Sequence, residues 1–308
     1  MGHKITTASK PERLKTGDTI GIVAPAGPFD SKQLDQGTAV LKSMGYAVKI
    51  PENLGQSDGF LAGPDIHRAS LINAFFADRQ VKGIVCARGG YGSMRILELL
   101  DYEMIRDNAK VFVGFSDITA LHAVLNNRCN LVTFHGPVVT YLGRADAETT
   151  QSLSNAVAAD RPITVVPKDA AIIQPGCASG RVCGGNLTTL CHLLGTPFVP
   201  DFKDCLLLLE ETNEAPYRVD RMLFQMKLAG CFDGVQGIAL GSFNNCGDMD
   251  EIYRVIQRIF QDLDPPVMAG FDIGHGHTNL TLPLGLQATL NTAERSLTYT
   301  EPAVRCLA

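Results

Sequence analysis

The sequence predicts an α/β protein, with an amino-terminal parallel-sheet α/β domain plus a smaller mixed α/β carboxy-terminal domain. Two observations support this fold class. Several short segments are apolar throughout and alternate with helical segments, which is typical of strands buried on both faces of a parallel sheet. The chain has 308 residues, a length that suits two domains of ordinary size.

The first domain is predicted to span residues 1–141. Its predicted strands lie at 19–24, 47–50, 83–87, 111–114 and 131–135, and its predicted helices lie at 31–43, at 64–77 and from about Ile118. In sheets of this kind, ligands bind at the carboxyl ends of the strands. The loops that follow 83–87 and 111–114 are therefore the expected location of a site.

Residues 142–174 are predicted to connect the domains, because the segment is polar and because Pro162 and Pro167 discourage a long helix. The second domain, 175–308, is built from shorter units. Its predicted elements are strands near Arg181 and at 205–209, 237–241, 287–291 and 296–300, helices ending near Leu194 and at 217–228 and 249–263, and a turn at 184–186. The last two strands are expected to form an antiparallel hairpin.

Composition argues against several classes of protein. The formal net charge is −5 and the basic residues are dispersed, so neither nucleic acid nor an anionic membrane is an expected partner. No segment approaches the ~18 consecutive apolar residues of a membrane span, and the polar start of the chain lacks a signal-peptide core. Nine cysteines without a C-x-x-C pair indicate free thiols in a reducing compartment. We expect a cytoplasmic protein that binds a small molecule.

Ser116 stands where the strand 111–114 turns into the next helix. Its hydroxyl is therefore expected at the end of the sheet, beside the free N–H groups of the helix start. This placement makes Ser116 a candidate nucleophile. The alternative is that Ser116 or Asp117 only caps the helix, because Ser and Asp are preferred N-cap residues.

A serine nucleophile needs an imidazole to accept its proton and a carboxylate to orient that imidazole. Glu210 and Glu211 follow the apolar segment 205–209, although either could simply be solvated at a strand end. His275 and His277 lie further along the chain. The two histidines could also form a metal pair, but neither an H-E-x-x-H motif nor a third ligand accompanies them.

Several familiar motifs are missing from the sequence. It has neither a Walker loop nor a G-x-G-x-x-G after a strand, so no nucleotide cofactor is expected. Ile118 replaces the second glycine of G-x-S-x-G, and no S-x-x-K occurs. Ordinary α/β-hydrolases and penicillin-binding proteins are therefore disfavoured.

Five motifs are ARGGYG at 87–92, VGFSDIT at 113–119, GGNL at 184–187, LEE at 209–211 with RVDR at 218–221, and GHG at 274–276 with Asn279 and TLP at 281–283. In this order they resemble the L,D-carboxypeptidase family of serine peptidases, which includes murein tetrapeptide carboxypeptidases and microcin C immunity peptidases. The resemblance implies that Ser116 is the nucleophile, Glu210 the acid and His275 the general base. It also implies an oxyanion hole formed by the backbone N–H groups of Gly90 and Asp117.

The substrate contacts stay open at this point. Arg88 and the helix start after Asp117 could bind a terminal carboxylate, although Arg88 could equally be an ordinary surface residue. For Tyr91, packing against the substrate and a purely structural role in its loop fit the sequence equally well.

The activity implied by the resemblance is that of a cytoplasmic serine-type carboxypeptidase in cell-wall peptide recycling. It would hydrolyse the bond between meso-diaminopimelate and the terminal D-alanine of murein tetrapeptides, as a homodimer and without a metal or other cofactor. One alternative is an immunity-type peptidase that cleaves a microcin C-like aminoacyl-nucleotide, which the absence of Trp disfavours. A second is a non-catalytic peptide-binding module, which would not need Ser116, Glu210 and His275 together.

Overall fold

The computed structural model describes residues 8–306 of the chain. These residues form a six-stranded sheet and an eight-stranded sheet with helices packed against them. The predicted α/β class is therefore confirmed. None of the helices in this part of the chain has the length and apolar character needed to cross a membrane.

Most of the first sheet is built from the chain up to residue 142. The elements there are β1 (Thr19–Val23), α1 (Ser31–Ser43), β2 (Ala47–Lys49), α2 (Asp65–Ala77), β3 (Val81–Cys86), α3 (Tyr102–Asp107), β4 (Val111–Gly114), α4 (Thr119–Cys129), β5 (Thr133–His135) and α5 (Val139–Leu142), with 3-10 turns at Ser93–Leu99 and Ser116–Ile118. Strands β2, β1, β3, β4 and β5 lie side by side in that order, and all of these pairs are parallel. Every residue of β4 is buried, as expected for a strand covered by helices on both faces.

The remaining chain builds the second sheet and adds one strand, β12, to the first. Its elements are α6 (Ala147–Ala158), β6 (Thr164–Val165), β7 (Ala171–Gln174), β8 (Cys177–Asn186), α7 (Leu187–Leu193), β9 (Cys205–Thr212), α8 (Pro216–Leu228), β10 (Gly237–Asn244), α9 (Met249–Phe260), β11 (Val267–Ala269), β12 (Leu282–Leu284), β13 (Gln287–Asn291) and β14 (Ser296–Tyr299). Strands β8 to β11 form its parallel centre. Strand β7 extends one edge in the antiparallel sense, and β13, β14 and β6 extend the other. The predicted hairpin of β13 and β14 is confirmed.

Strand β12 departs from this pattern, because it pairs antiparallel with β5 at the edge of the first sheet. Leu282 lies opposite His135, and Leu284 lies opposite Thr133. The segment between β11 and β12 therefore runs from the second sheet to the first. It carries both histidines that the sequence marks as candidates.

The predicted turn at Gly184 and Gly185 is wrong, because both residues lie near the end of β8. The two glycines allow β8 to pack closely against Leu208 and Thr119. A Cβ atom on Gly184 would overlap the backbone of Leu208, and one on Gly185 would lie 2.6 Å from Oγ1 of Thr119. A positive φ at each position, 117° and 139°, further restricts it to glycine.

The segment 142–174 also differs from its predicted character. It contains α6, which ends before Pro162, and then β6 and β7, which both join the second sheet. Asp146 caps the start of α6 by accepting the N–H of Thr149 at 2.7 Å. The prediction that Pro162 and Pro167 prevent a long helix therefore holds only for the residues beyond Ala158. The division into an amino-terminal domain 1–141, a connection and a carboxy-terminal domain 175–308 stays a prediction.

Candidate active site

Ser116 lies in the sharp turn between β4 and α4. Its φ of 66° is in the left-handed region, which costs a non-glycine residue roughly 1–3 kcal/mol and is typical of strained functional turns. Neither Ser116 nor Asp117 caps α4, because the N-cap position is Ile118 and makes no side-chain cap. Asp117 instead accepts the N–H of Ser93 at 2.8 Å. The capping alternative therefore does not describe this turn.

The glycine loop after β3 packs directly against Ser116. A Cβ atom on Gly89 would lie 2.8 Å from Cβ of Ser116, so a larger side chain there would displace the serine. Gly90 has a φ of 106° and lies close to Gly27. Of the two predicted oxyanion donors, the N–H of Asp117 belongs to the turn that carries Ser116, and the N–H of Gly90 belongs to the glycine loop packed against that serine. Their role stays a prediction.

His275 completes a hydrogen-bonded series with Ser116 and Glu210. Its Nε2 lies 3.1 Å from Oγ of Ser116, and its Nδ1 lies 2.6 Å from Oε2 of Glu210. The ring also packs against Phe115, with 4.8 Å between the ring centroids. The structure therefore brings together the three side chains to which the sequence assigns the chemistry.

Glu210 is fully buried in β9, and two glycines make room for its side chain. A Cβ atom on Gly241 would lie 3.0 Å from Cβ of Glu210, and one on Gly274 would overlap the carboxylate itself. Gly274 also has a φ of 98°. Within the described residues, Oε1 of Glu210 has no hydrogen-bond partner, so Oε2 and its bond to His275 fix the carboxylate.

The environment of His275 favours its protonated form. Burial lowers the pKa of the imidazole, but the hydrogen bond and the charge of Glu210, with a contribution from Glu211, outweigh burial and raise the pKa above its ordinary value. A carboxylate that stabilises an imidazolium in this way is what a serine nucleophile requires. The site can accept a proton from Ser116 and hold it.

Glu211 takes part in a different set of contacts from Glu210. Its carboxylate accepts hydrogen bonds from Nδ2 of Asn186 at 3.0 Å and from the N–H and Oγ1 of Thr188 at 2.8 and 2.7 Å. Burial raises the pKa of this carboxyl, more than these hydrogen bonds lower it. The idea that the glutamates are solvated at a strand end is wrong for both, because β9 continues to Thr212.

His277 does not contribute to this series. Its side chain is 89% exposed, and its Nε2 lies 4.0 Å from Oδ2 of Asp146. Within residues 8–306, no three or more His, Cys, Asp or Glu side chains are grouped so that they could hold a metal ion. The histidine pair therefore separates into one site residue and one surface residue.

Ser116 and His275 face an open cleft of about 640 Å³. Arg88 lines the cleft, and its Nη1 donates a hydrogen bond to the carbonyl of Pro28. Tyr91 is not part of the lining. It is 45% exposed and packs edge-on against Phe60, with 5.5 Å between the ring centroids. This contact favours a role in holding the loop together over a role in binding substrate.

Tyr141 and Arg144 are among the residues of the cleft lining that the sequence reasoning missed. Tyr141 donates its hydroxyl to the carbonyls of Gly276 and His277 at 2.8 and 2.6 Å, and Arg144 lies over the Tyr141 ring. Nothing in the local sequence marks Tyr141, because its partners lie 135 and 136 positions further along the chain, and Arg144 is placed through its contact with Tyr141.

Two family models match the sequence. The LD-carboxypeptidase N-terminal domain matches residues 20–136, and the LD-carboxypeptidase C-terminal domain matches residues 179–290. Among known proteins, the probable murein peptide carboxypeptidase of Bacillus subtilis (strain 168) is 36% identical to this chain, over 93% of each chain.

Two solved structures are similar over nearly the whole chain. An MccF-like protein from Bacillus anthracis has a TM-score of 0.90 at 28% identity, covering 96% of this chain and 100% of that chain. A muramoyltetrapeptide carboxypeptidase from Oxalobacter formigenes has a TM-score of 0.81 at 31% identity, covering 91% of this chain and 97% of that chain.

Proposed function

The chain belongs to the LD-carboxypeptidase family, and we propose that it is a serine carboxypeptidase that cuts the meso-diaminopimelate–D-alanine bond of murein tetrapeptides. The observation that carries the proposal is the hydrogen-bonded series from Ser116 through His275 to Glu210, beside an open cleft. The substrate is supported by two similar proteins, one described as a probable murein peptide carboxypeptidase and the other as a muramoyltetrapeptide carboxypeptidase.

The reaction begins when Oγ of Ser116 attacks the carbonyl carbon of the scissile amide. Nε2 of His275 takes the serine proton, and Glu210 stabilises the resulting imidazolium through Nδ1. The carbonyl oxygen becomes an oxyanion, for which the backbone N–H groups of Gly90 and Asp117 are the proposed donors. One such donor contributes roughly 2.7–4 kcal/mol to lowering the barrier.

The tetrahedral intermediate collapses when its C–N bond breaks. His275 returns its proton to the departing amine, so D-alanine leaves as a neutral amine and the acyl group stays on Ser116 as an ester. Water then attacks this ester, with His275 acting again as the general base. The same residue serves both half-reactions because its pKa is set by Glu210 in each.

The proposed preference for an L-configured centre before the scissile bond follows from the fixed direction of attack. Ser116 can reach only one face of a carbonyl that is held near the oxyanion donors. Inverting the centre exchanges its side chain and its hydrogen, which moves the carbonyl out of line. A displacement of ~1 Å can lower the rate ~100-fold.

We also propose a cytoplasmic homodimer that acts in cell-wall peptide recycling. All nine cysteines are free thiols and most of them are buried, which suits a reducing compartment. The net charge of −5 supports a small peptide substrate rather than nucleic acid. The homodimer rests on the family resemblance, and sedimentation equilibrium would test it directly.

An immunity-type peptidase that cleaves an aminoacyl-nucleotide is the second candidate function. Its support is the TM-score of 0.90 with the MccF-like protein. An aromatic side chain placed to stack on the nucleobase would favour such an enzyme. Tyr141 in the cleft already packs against Phe115 and Arg144, and Tyr91 lies outside the lining. The murein peptide is therefore the better supported substrate.

The test is to incubate the protein with UDP-MurNAc-tetrapeptide and UDP-MurNAc-pentapeptide and to measure the D-alanine released. We expect rapid release from the tetrapeptide and at least ~100-fold slower release from the D-alanyl-D-alanine bond of the pentapeptide. Ser116→Ala should be inactive on both. Comparable rates on the two bonds would refute the L,D specificity. Inactivity on both, with hydrolysis of an aminoacyl sulfamoyl adenosine, would establish the second candidate instead.

A further inference from the structure

We infer that Arg144 binds the terminal carboxylate of the residue that is released, an inference that rests on the proposed carboxypeptidase function. A carboxypeptidase must distinguish a free carboxylate from the next amide of a longer peptide. The planar guanidinium of arginine pairs with a carboxylate through two parallel hydrogen bonds. Arg88 and Arg144 are the arginines among the residues that line the cleft.

Arg144 has no acidic partner within the described residues, and its guanidinium lies over the Tyr141 ring at 5.2 Å from the centroid. The acidic side chain nearest in sequence, Asp146, is engaged elsewhere. It accepts the N–H of Thr149 at 2.7 Å and Oγ1 of Thr278 at 2.5 Å. The N–H donors of Arg144 therefore stay available to a ligand in the cleft.

Arg88 is less suited to this role. Its Nη1 already donates to the carbonyl of Pro28, and it directly precedes the Gly89–Gly90 turn that packs on Ser116. It therefore belongs to the wall that carries the proposed oxyanion donor Gly90. A carbonyl oxygen, rather than the departing residue, is expected on that side.

Arg144 is linked through Tyr141 to the wall of the cleft that His275 forms. Tyr141, which supports the guanidinium, donates its hydroxyl to the carbonyls of Gly276 and His277 at 2.8 and 2.6 Å. These two residues directly follow His275. Because His275 must protonate the departing amine, the released residue lies against this wall, with its carboxylate one carbon atom away from that amine.

The backbone holds Arg144 in a defined position. The turn after α5 is tight, and the N–H of Arg144 donates to the carbonyl of Tyr141 at 3.0 Å. The preceding Gly143 packs against α1, where a Cβ atom would lie 2.6 Å from Cβ of Gln36. A guanidinium that is placed before the ligand arrives loses less freedom on binding.

The acidic residue of the lining does not remove this positive charge. Asp30 caps α1, where its Oδ1 accepts the N–H of Gln33 at 2.8 Å, so its carboxylate faces the positive end of the helix dipole. Asp30 forms no ion pair with either arginine of the cleft in the part of the chain that the structure describes.

The experiment compares a tetrapeptide that ends in free D-alanine with the same peptide that ends in D-alaninamide, for the wild type and four variants. We expect the wild type to prefer the free acid. Arg144→Ala should lower kcat/KM for the acid by about 10- to 100-fold, as for the loss of hydrogen bonds to a charged group, and should change the amide less than threefold. Arg144→Lys should recover part of the preference for the free acid, since lysine restores the positive charge but cannot form the bidentate hydrogen bonds of a guanidinium.

Two matched controls separate this effect from a general loss of charge. Arg88→Ala removes the other arginine of the cleft, and Arg79→Ala removes an exposed arginine two residues after α2. Both should keep the wild-type preference for the acid. The side chain of Arg144 is exposed, so its variants should melt at the wild-type temperature.

An equal loss on both substrates in Arg144→Ala would overturn the inference, because it would indicate a structural role. The inference would also be overturned if Arg88→Ala lost the preference for the free acid while Arg144→Ala kept it. A wild type that cleaves the acid and the amide equally well would refute carboxylate recognition while leaving the hydrolase in place. A wild type that cleaves neither peptide would refute the proposed function and the inference together.

Discussion

Glu210→Gln tests the hydrogen-bonded series most directly. The substitution keeps the size of a fully buried side chain but replaces the charged acceptor 2.6 Å from Nδ1 of His275 with a neutral amide. Gly274 leaves the side chain little space to move away. If the amide presents its NH₂ group, the imidazole proton must sit on Nε2, and His275 then donates to Ser116 instead of accepting its proton.

The expected loss of kcat in Glu210→Gln is about 10³- to 10⁴-fold. The hydrogen bond of a charged group contributes about 1.5–3 kcal/mol, which alone explains a loss of only ~10- to 150-fold. The wrong tautomer supplies the rest, since the corresponding Asp→Asn change in a serine triad lowers kcat ~10⁴-fold. Together these effects correspond to about 4–5.5 kcal/mol in the activation barrier.

The pH dependence of the residual activity should shift as well. In the wild type, burial lowers the pKa of His275 and the bond and charge of Glu210 raise it to a net value above the ordinary one. Without that charge, burial dominates and the pKa falls below the wild-type value. Because the neutral imidazole is the base, the acidic limb of kcat/KM should move to lower pH in Glu210→Gln.

The assay is D-alanine release from the tetrapeptide between pH 5 and 9, with Glu211→Gln as the matched control. Glu211 is also buried but holds Asn186 and Thr188, so its loss should lower the melting temperature and leave kcat within about tenfold. If Glu210→Gln kept kcat within tenfold of the wild type at every pH, Glu210 could not be orienting His275.

Three further outcomes are expected. Ser116→Ala and His275→Ala should each lose most turnover, and the double variant should be hardly slower than either single variant, because members of one catalytic unit are not additive; comparing kcat for D-alanine release among the three variants would check this. Activity should survive EDTA, and His277→Ala should stay within about threefold of the wild type, since that side chain is 89% exposed and away from the series; restoration of chelated enzyme by zinc would contradict this. Gly274→Ala should lower kcat at least ~100-fold with little change in KM, because its Cβ atom would displace the carboxylate of Glu210; a wild-type rate would mean that the carboxylate tolerates displacement.

The elements around Ser116 could be predicted from the sequence because they are local. Strand β4 is an apolar run, and the turn and α4 follow it within a few residues. The burial of Glu210 could not be predicted in the same way. Two acidic residues after an apolar run look like a strand end, and the side chain is accommodated only because Gly241 and Gly274 leave space for it from distant parts of the chain.

The residues missed by sequence reasoning depend on long-range contacts. The hydroxyl of Tyr141 reaches the carbonyl of His277 across 136 positions of sequence, and Arg144 follows Tyr141 into the cleft. Both lie at or beside the start of the segment expected to connect the domains, where a polar composition gave no reason to expect a role. The prediction of a turn at Gly184–Gly185 was wrong for a related reason. Glycine occurs where another part of the chain approaches the backbone closely as well as in turns.

The three side chains of the site come from three different parts of the fold. Ser116 follows a strand of the first sheet, and Glu210 lies within a strand of the second. His275 belongs to the segment that leaves the second sheet after β11 and joins the first sheet through β12. Within that segment, Oδ1 of Asn279 accepts the N–H of Gly274 at 2.9 Å, and the N–H of Asn279 donates to Oγ1 of Thr149 at 3.0 Å. The imidazole itself contacts Ser116 and Phe115 of the first part of the chain and Glu210 of the second. Neither sheet alone therefore contains the geometry that the proposed chemistry requires.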